Sequence, residues 1–130
     1  LARFAPGGKI LYVSCDNETD PHYKELKLME EDLRSMKNSG GGSYQLLPLP
    51  WPEAEYYDKD ERLPATYANF LVLNGAVLVP TYGDKKDPQA LEIIGGAFPG
   101  RRIIGINCLP LIRKHGSLHC VTMQIPKGVL

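Results

Sequence analysis

The residue types able to do chemistry are densest in Lys114-His115-Gly116-Ser117-Leu118-His119-Cys120. A thiol close to a glycine has the placement expected of a nucleophile whose neighbouring backbone must approach a substrate. Cys120 is therefore the candidate nucleophile, set at the mouth of a strand expected over Val121 to Ile125. The competing fate of a free cysteine is that of a small buried hydrophobe, and Cys15 and Cys108 are assigned to it. His115, His119 and Cys120 also form a set of metal-ligand types, but they lack a fourth member and match no common zinc spacing, so no metal is expected.

The elements that must position this cluster emerge when the chain is laid against itself. Asp20-Pro21 and Asp87-Pro88 lie 67 positions apart, and the same offset places Ile10-Leu11-Tyr12-Val13 on Val77-Leu78-Val79-Pro80. Two copies of one supersecondary unit follow. Each opens with paired apolar runs: Ala2 to Phe4 and Lys9 to Ser14 around Pro6-Gly7-Gly8, then Phe70 to Leu73 and Ala76 to Val79 around Asn74-Gly75. Asn-Gly between apolar runs predicts a hairpin with a type I′ turn. Asp-Pro then predicts each helix start, with Asp as cap and Pro at the first helical position.

Leu26, Met29, Leu33 and Met36 form the buried stripe of the first helix, which Asn38 and Gly40 to Gly42 end. Ala90, Leu91, Ile94, Ala97 and Phe98 form the second stripe, interrupted by Gly95-Gly96, which close helix–sheet packing would explain. Tyr44 to Leu49 and Arg102 to Ile106 complete a ββαβ unit in each copy. The fold class is thus α/β: a single incomplete domain over 1–130, with units 1–50 and 65–130 joined by loop 51–64. Trp51, Tyr56 and Tyr57 on that loop either contact a ligand or anchor it to the core.

The chain has 130 residues, 43% of them apolar, with 15 basic and 15 acidic side chains. That balance argues against nucleic acid as a partner, and the absence of an 18-residue apolar run argues against a membrane span. Three cysteines without paired spacing fit a reducing compartment, hence a cytoplasmic location. Leu1-Ala2-Arg3-Phe4 enters patterned sequence directly, which suggests a fragment.

Three ordered motifs, Thr66-Tyr67-Ala68-Asn69-Phe70, Asn74 to Asp84 and Gly116-Ser117-Leu118-His119-Cys120, resemble the C-terminal part of agmatine deiminases and bacterial peptidylarginine deiminases. The resemblance implies the pentein fold, a pseudo-fivefold ring of ββαβ units of which this chain would supply two. It implies that Cys120 attacks a guanidinium carbon, without any cofactor, and that Asn69, Gly116 and Ser117 lie near substrate. The family often has Gly-Gly-Gly-Asn where this chain has Lys114-His115-Gly116-Ser117. His119 is read as structural, pointing to the other face of a strand. The family's acid/base histidine belongs to a Gly-His-x-Asp segment directly before the strand that begins here at Leu1, and most of its guanidinium-binding carboxylates lie earlier still.

The expected partners are a small guanidino substrate (agmatine, arginine or an arginine side chain) and the remainder of the pentein domain, with homo-oligomerisation left open. The isolated chain is expected to be inactive. Two alternatives stand beside this reading: a non-catalytic α/β association module with open sheet edges, and an amidinotransferase of the same superfamily.

Overall fold

The computed structural model describes residues 1–58, 61–126 and 128–129. Unit one runs β1 (Ala2–Ala5), β2 (Lys9–Ser14), α1 (Tyr23–Ser35) and β3 (Gln45–Pro50). Unit two runs β4 (Leu71–Val72), β5 (Ala76–Thr81), α2 (Asp87–Ala97) and β6 (Arg102–Asn107), followed by the short helix α3 (Leu109–Ile112). A 3-10 turn, Tyr67–Asn69, precedes β4, and another spans His119–Val121. The two sheets have the same topology, β1-β2-β3 and β4-β5-β6, each with an antiparallel hairpin and one parallel neighbour reached through the helix. Both copies are therefore ββαβ units, as the repeat predicts. The 67-residue offset carries β2 onto β5 end to end and Asp20-Pro21 onto Asp87-Pro88, and lapses beyond them because the helix starts earlier and the helix–strand connection is shorter in unit two.

Strand β2 is apolar on both faces because both are covered, the usual state of a strand with a parallel partner. Ile10 and Tyr12 pack with Leu33 of α1. Leu11 and Val13 belong to a core shared with unit two, which includes Leu49, Tyr67, Phe70, Val77, Val79, Ala90, Ile94 and Cys108. Arg3 links the units directly: its guanidinium donates to the Phe70 carbonyl at 3.1 Å and lies 4.8 Å above the Phe70 ring. The segment that ends at Asn69 is thus held between the two sheets. Cys15 and Cys108 are buried.

Several local expectations are corrected. Asn74 and Gly75 both keep negative φ, so the hairpin turn is not type I′. The Gly75 carbonyl is turned to accept from Arg102 N–H at 3.1 Å, and the Arg101 guanidinium binds the Leu73 carbonyl. Helix α1 begins at Tyr23, after Pro21, while Asp20 accepts from His22 N–H at 2.9 Å. Asp87 caps nothing in its own helix; its carboxylate instead accepts from Tyr67 Oη (2.7 Å), Tyr82 N (3.1 Å) and Gly83 N (2.9 Å). Gly95 answers to packing, since a Cβ there would lie 3.4 Å from Ile103, but Gly96 faces open space. Met36 lies past the helix end and is exposed. Residues Val121 to Ile125 form no strand; the chain there is the end of the His119–Val121 turn and an irregular segment held by Gln124 Nε2 donating to the Val72 carbonyl.

The linking loop is anchored rather than loose. Asp20 Oδ2 accepts from Trp51 Nε1 at 3.0 Å and from Arg62 at 2.9 Å, and the Arg62 guanidinium lies 4.6 Å over the Trp51 ring. Tyr56 bridges Arg62 across a small antiparallel turn, and Leu63 is buried. Of the two readings for Trp51, the structure gives the anchor; Tyr56 and Tyr57 remain exposed. Burial alone would raise the Asp20 pKa, but the His22 N–H, Arg62 and Trp51 donors outweigh it and hold the carboxyl well below the usual range.

Two outcomes follow. Asp87→Ala strips three donors of their shared acceptor and is expected to lower the urea-unfolding free energy by about 2–3 kcal/mol. Trp51 is the sole tryptophan, so its emission reports the anchor. Since the folded-state pKa of Asp20 is depressed, the anchor holds while pH falls through about 4 and is lost only well below it; the emission is expected to stay constant to that point in the native chain and to shift at neutral pH in Asp20→Ala.

Candidate functional site

Cys120 sits in the second 3-10 turn, and it is the exposed member of the three cysteines. The Asn69 amide reaches its sulfur, with Nδ2 3.1 Å from Sγ. The Ser117 N–H and then the Asn69 amide pull the thiol pKa below its ordinary value, and the little burial at this exposed position does not offset them. Asn69 also works through its other atom: Oδ1 accepts from His119 N at 2.6 Å and from Cys120 N at 3.4 Å. One amide therefore fixes both the backbone of the turn and the sulfur it carries.

Local sequence explains the two arms. Thr66 is extended and caps the Tyr67–Asn69 turn, its Oγ1 accepting from Ala68 N at 3.2 Å. Only a one-turn helix follows, so Asn69 emerges at the end of a short, stiff segment. On the other arm, α3 ends in a bend whose residue His115 has φ +60°, the left-handed conformation that glycine adopts at least cost. This is one of the positions where the resembling family often carries glycine. Gly116 has its own requirement, because a Cβ there would lie 3.3 Å from Cys120 Cβ.

The structure brings Cys120, Asn69, Gly116 and Ser117 together, though not all in the expected posture. Ser117 is buried, its Oγ 2.9 Å from Tyr82 Oη and against Cys108, so it faces Cys120 with backbone rather than side chain. His119 meets Asn69 through its backbone N–H within a 3-10 turn, not across the faces of a strand. His115 Nδ1 lies 3.5 Å from Glu61, and His22 sits with Asp20 and Arg62 at the start of α1. Among the described residues, Asn69 is the one side chain hydrogen-bonded to Cys120, and no group of three or more His, Cys, Asp or Glu side chains could hold a metal ion. No helix among them is long and apolar enough to cross a membrane. Thr66 escaped the sequence reading as an individual residue; a threonine one position before a short turn is the signal that could have found it.

An exposed thiol with an amide N–H on its sulfur can attack an electrophilic carbon, because the donor favours the thiolate without covering it. Asn69→Ala removes one donor and loosens the turn. Its alkylation by iodoacetamide at neutral pH is expected to be several-fold slower than that of the native chain, with the pH midpoint moved upward; equal profiles would contradict the role given to the amide.

Comparison with known proteins agrees with this fold and shows the family. The family model for the Porphyromonas-type peptidyl-arginine deiminase matches residues 1–126. A solved structure from Porphyromonas gingivalis, assigned as an arginine deiminase, is 53% identical with a TM-score of 0.95, covering 98% of this chain and 38% of that one. The agmatine deiminase of C. jejuni is 40% identical with a TM-score of 0.81, covering 92% of this chain and 34% of its own. A Marinomonas protein assigned as an agmatine deiminase is 31% identical over 136 residues, covering 92% of this chain. The chain spans 37% of the length of that relative. It belongs to the Porphyromonas-type peptidyl-arginine deiminase family.

Proposed function

We propose that this chain is the C-terminal part of a pentein-type hydrolase that deiminates a guanidino substrate, agmatine or an arginine side chain, with Cys120 as the covalent nucleophile. The observation that carries the reading is the Asn69 amide nitrogen 3.1 Å from an exposed cysteine sulfur. Supporting it are two ββαβ units with open outer edges and exposed Leu1, Phe4, Met123 and Ile125, suited to meeting further units of a ring.

In the reaction, the Cys120 thiolate forms a bond to the guanidinium carbon and gives a tetrahedral adduct. One nitrogen takes a proton and leaves as ammonia, so an amidino-cysteine remains. Water adds to the same carbon, and loss of the thiolate yields the ureido product and regenerates the enzyme. Both steps need a group to move protons and a carboxylate to balance the cation, because a guanidinium in a dry pocket without a counter-charge is costly. Asn69 is neutral and supplies neither. Those groups are assigned to the remainder of the domain, which is why this chain by itself is inactive in the proposal.

The test is ammonia release from agmatine and from an arginine peptide. A protein comprising this chain together with its upstream units is expected to release ammonia, and Cys120→Ser is expected to cut kcat/KM by about 10³-fold or more. The isolated chain is expected to release none. Turnover by the isolated chain, or full activity of the serine variant, would overturn the proposal.

A further inference from the structure

The two segments that flank the sulfur, one ending at Asn69 and one running from Ser117 to Cys120, are far apart in sequence, and one side chain touches both. Tyr82 is buried, and its hydroxyl accepts from Thr66 N–H at 3.0 Å while donating to the Thr66 carbonyl at 3.0 Å. Extended Thr66, φ −154° and ψ 133°, presents both groups to one side, so a single hydroxyl pairs with them as a neighbouring strand would. The same oxygen lies 2.9 Å from Ser117 Oγ, a hydroxyl pair in which either oxygen can donate. Thr66 in turn caps the turn that ends at Asn69 and accepts from Asn69 N–H through its carbonyl at 3.2 Å. Ser117 opens the segment that turns into Cys120, next to Gly116, where a Cβ would lie only 3.3 Å from Cys120 Cβ.

We propose that Tyr82 is a positioning residue for the nucleophile: its hydroxyl joins the base of the Asn69 arm to the Ser117 segment that leads into Cys120, and so sets the gap across which the Asn69 amide reaches Cys120 Sγ. The inference deepens, and rests on, the reading of Cys120 as nucleophile. Tyr82 is itself fixed, by its N–H on the Asp87 carboxylate at 3.1 and 3.2 Å and by its ring 5.6 Å from that of Tyr67. Burial pushes its phenol up to about 12, so the hydroxyl keeps its proton and serves as donor and acceptor together across the neutral range. A phenylalanine would fill the same space and leave the Thr66 N–H and Ser117 Oγ without this partner.

A purely structural tyrosine would change melting and leave the thiol alone, so the thiol is the readout. Alkylation of Cys120 by iodoacetamide is followed against pH by peptide mass spectrometry in the 130-residue chain, with Cys120→Ser as the blank. The native chain is expected to show a midpoint below that of free cysteine, and Tyr82→Phe is expected to raise it by about one pH unit. Ser117→Ala cuts the other arm and is expected to move the midpoint the same way. Circular dichroism checks each fold; if Tyr82→Phe does not fold, Ser117→Ala decides. Coincident midpoints in a folded variant overturn the inference. Raised midpoints in a protein whose parent releases no ammonia would sink the proposed reaction and keep the joint; coincident midpoints with an active parent would do the reverse.

Discussion

A donor can favour a thiolate only if it is held against the sulfur, and here that constraint organises the chain. The Asn69 amide meets Cys120 Sγ at 3.1 Å, across from the segment that carries Ser117 into Cys120. Neither segment could hold its place alone, since one is a three-residue turn and the other a bend after a four-residue helix. Each is fixed by what lies beneath it: the Arg3 contact to Phe70 on one side, the buried Ser117 and Tyr82 on the other. The shared core between the two units is the platform, because Tyr67, Phe70 and Cys108 belong to the same cluster as Leu11, Val13 and Leu49.

The two units therefore relate to function differently. Unit two carries every residue of the candidate site, while unit one carries none and instead supplies the surface on which the Asn69 arm rests. The Asp-Pro pair that marks the repeat has diverged along the same line. Asp87 gathers Tyr67, Tyr82 and Gly83 underneath the site, whereas Asp20 gathers His22, Trp51 and Arg62 and ties down the linking loop. One sequence signal thus does two jobs, and in neither is the aspartate an ordinary helix cap.

Much of this was legible in the residues. Period and repeat placed β2 to the residue and β5 from its first residue to two short of its end, because a strand covered on both faces reads as an unbroken apolar run. The thiol and the asparagine were visible as a motif. The geometry between them was not, since the Asn69–Cys120 contact spans 51 positions and depends on turns only three residues long. Val121 to Ile125 misled because alternation of apolar and polar residues records only that one side of an extended segment is greasy; in this chain that side is exposed at Val121, Met123 and Ile125. Asn74-Gly75 misled because the turn type was set by β6 claiming the Gly75 carbonyl, a tertiary contact that no dipeptide encodes. The resemblance implies only that Ser117 lies near substrate; that its hydroxyl is buried is revealed by the position of Tyr82.

The account turns on a bond between Cys120 sulfur and a guanidinium carbon. The most direct measurement is acid quench of the protein comprising this chain and its upstream units during turnover, followed by intact-mass and peptide analysis. The account predicts an amidino adduct on the peptide bearing Cys120, absent in the serine variant. Ammonia formed in steady state with that peptide unmodified throughout, and undiminished when the sulfur is removed, would contradict it.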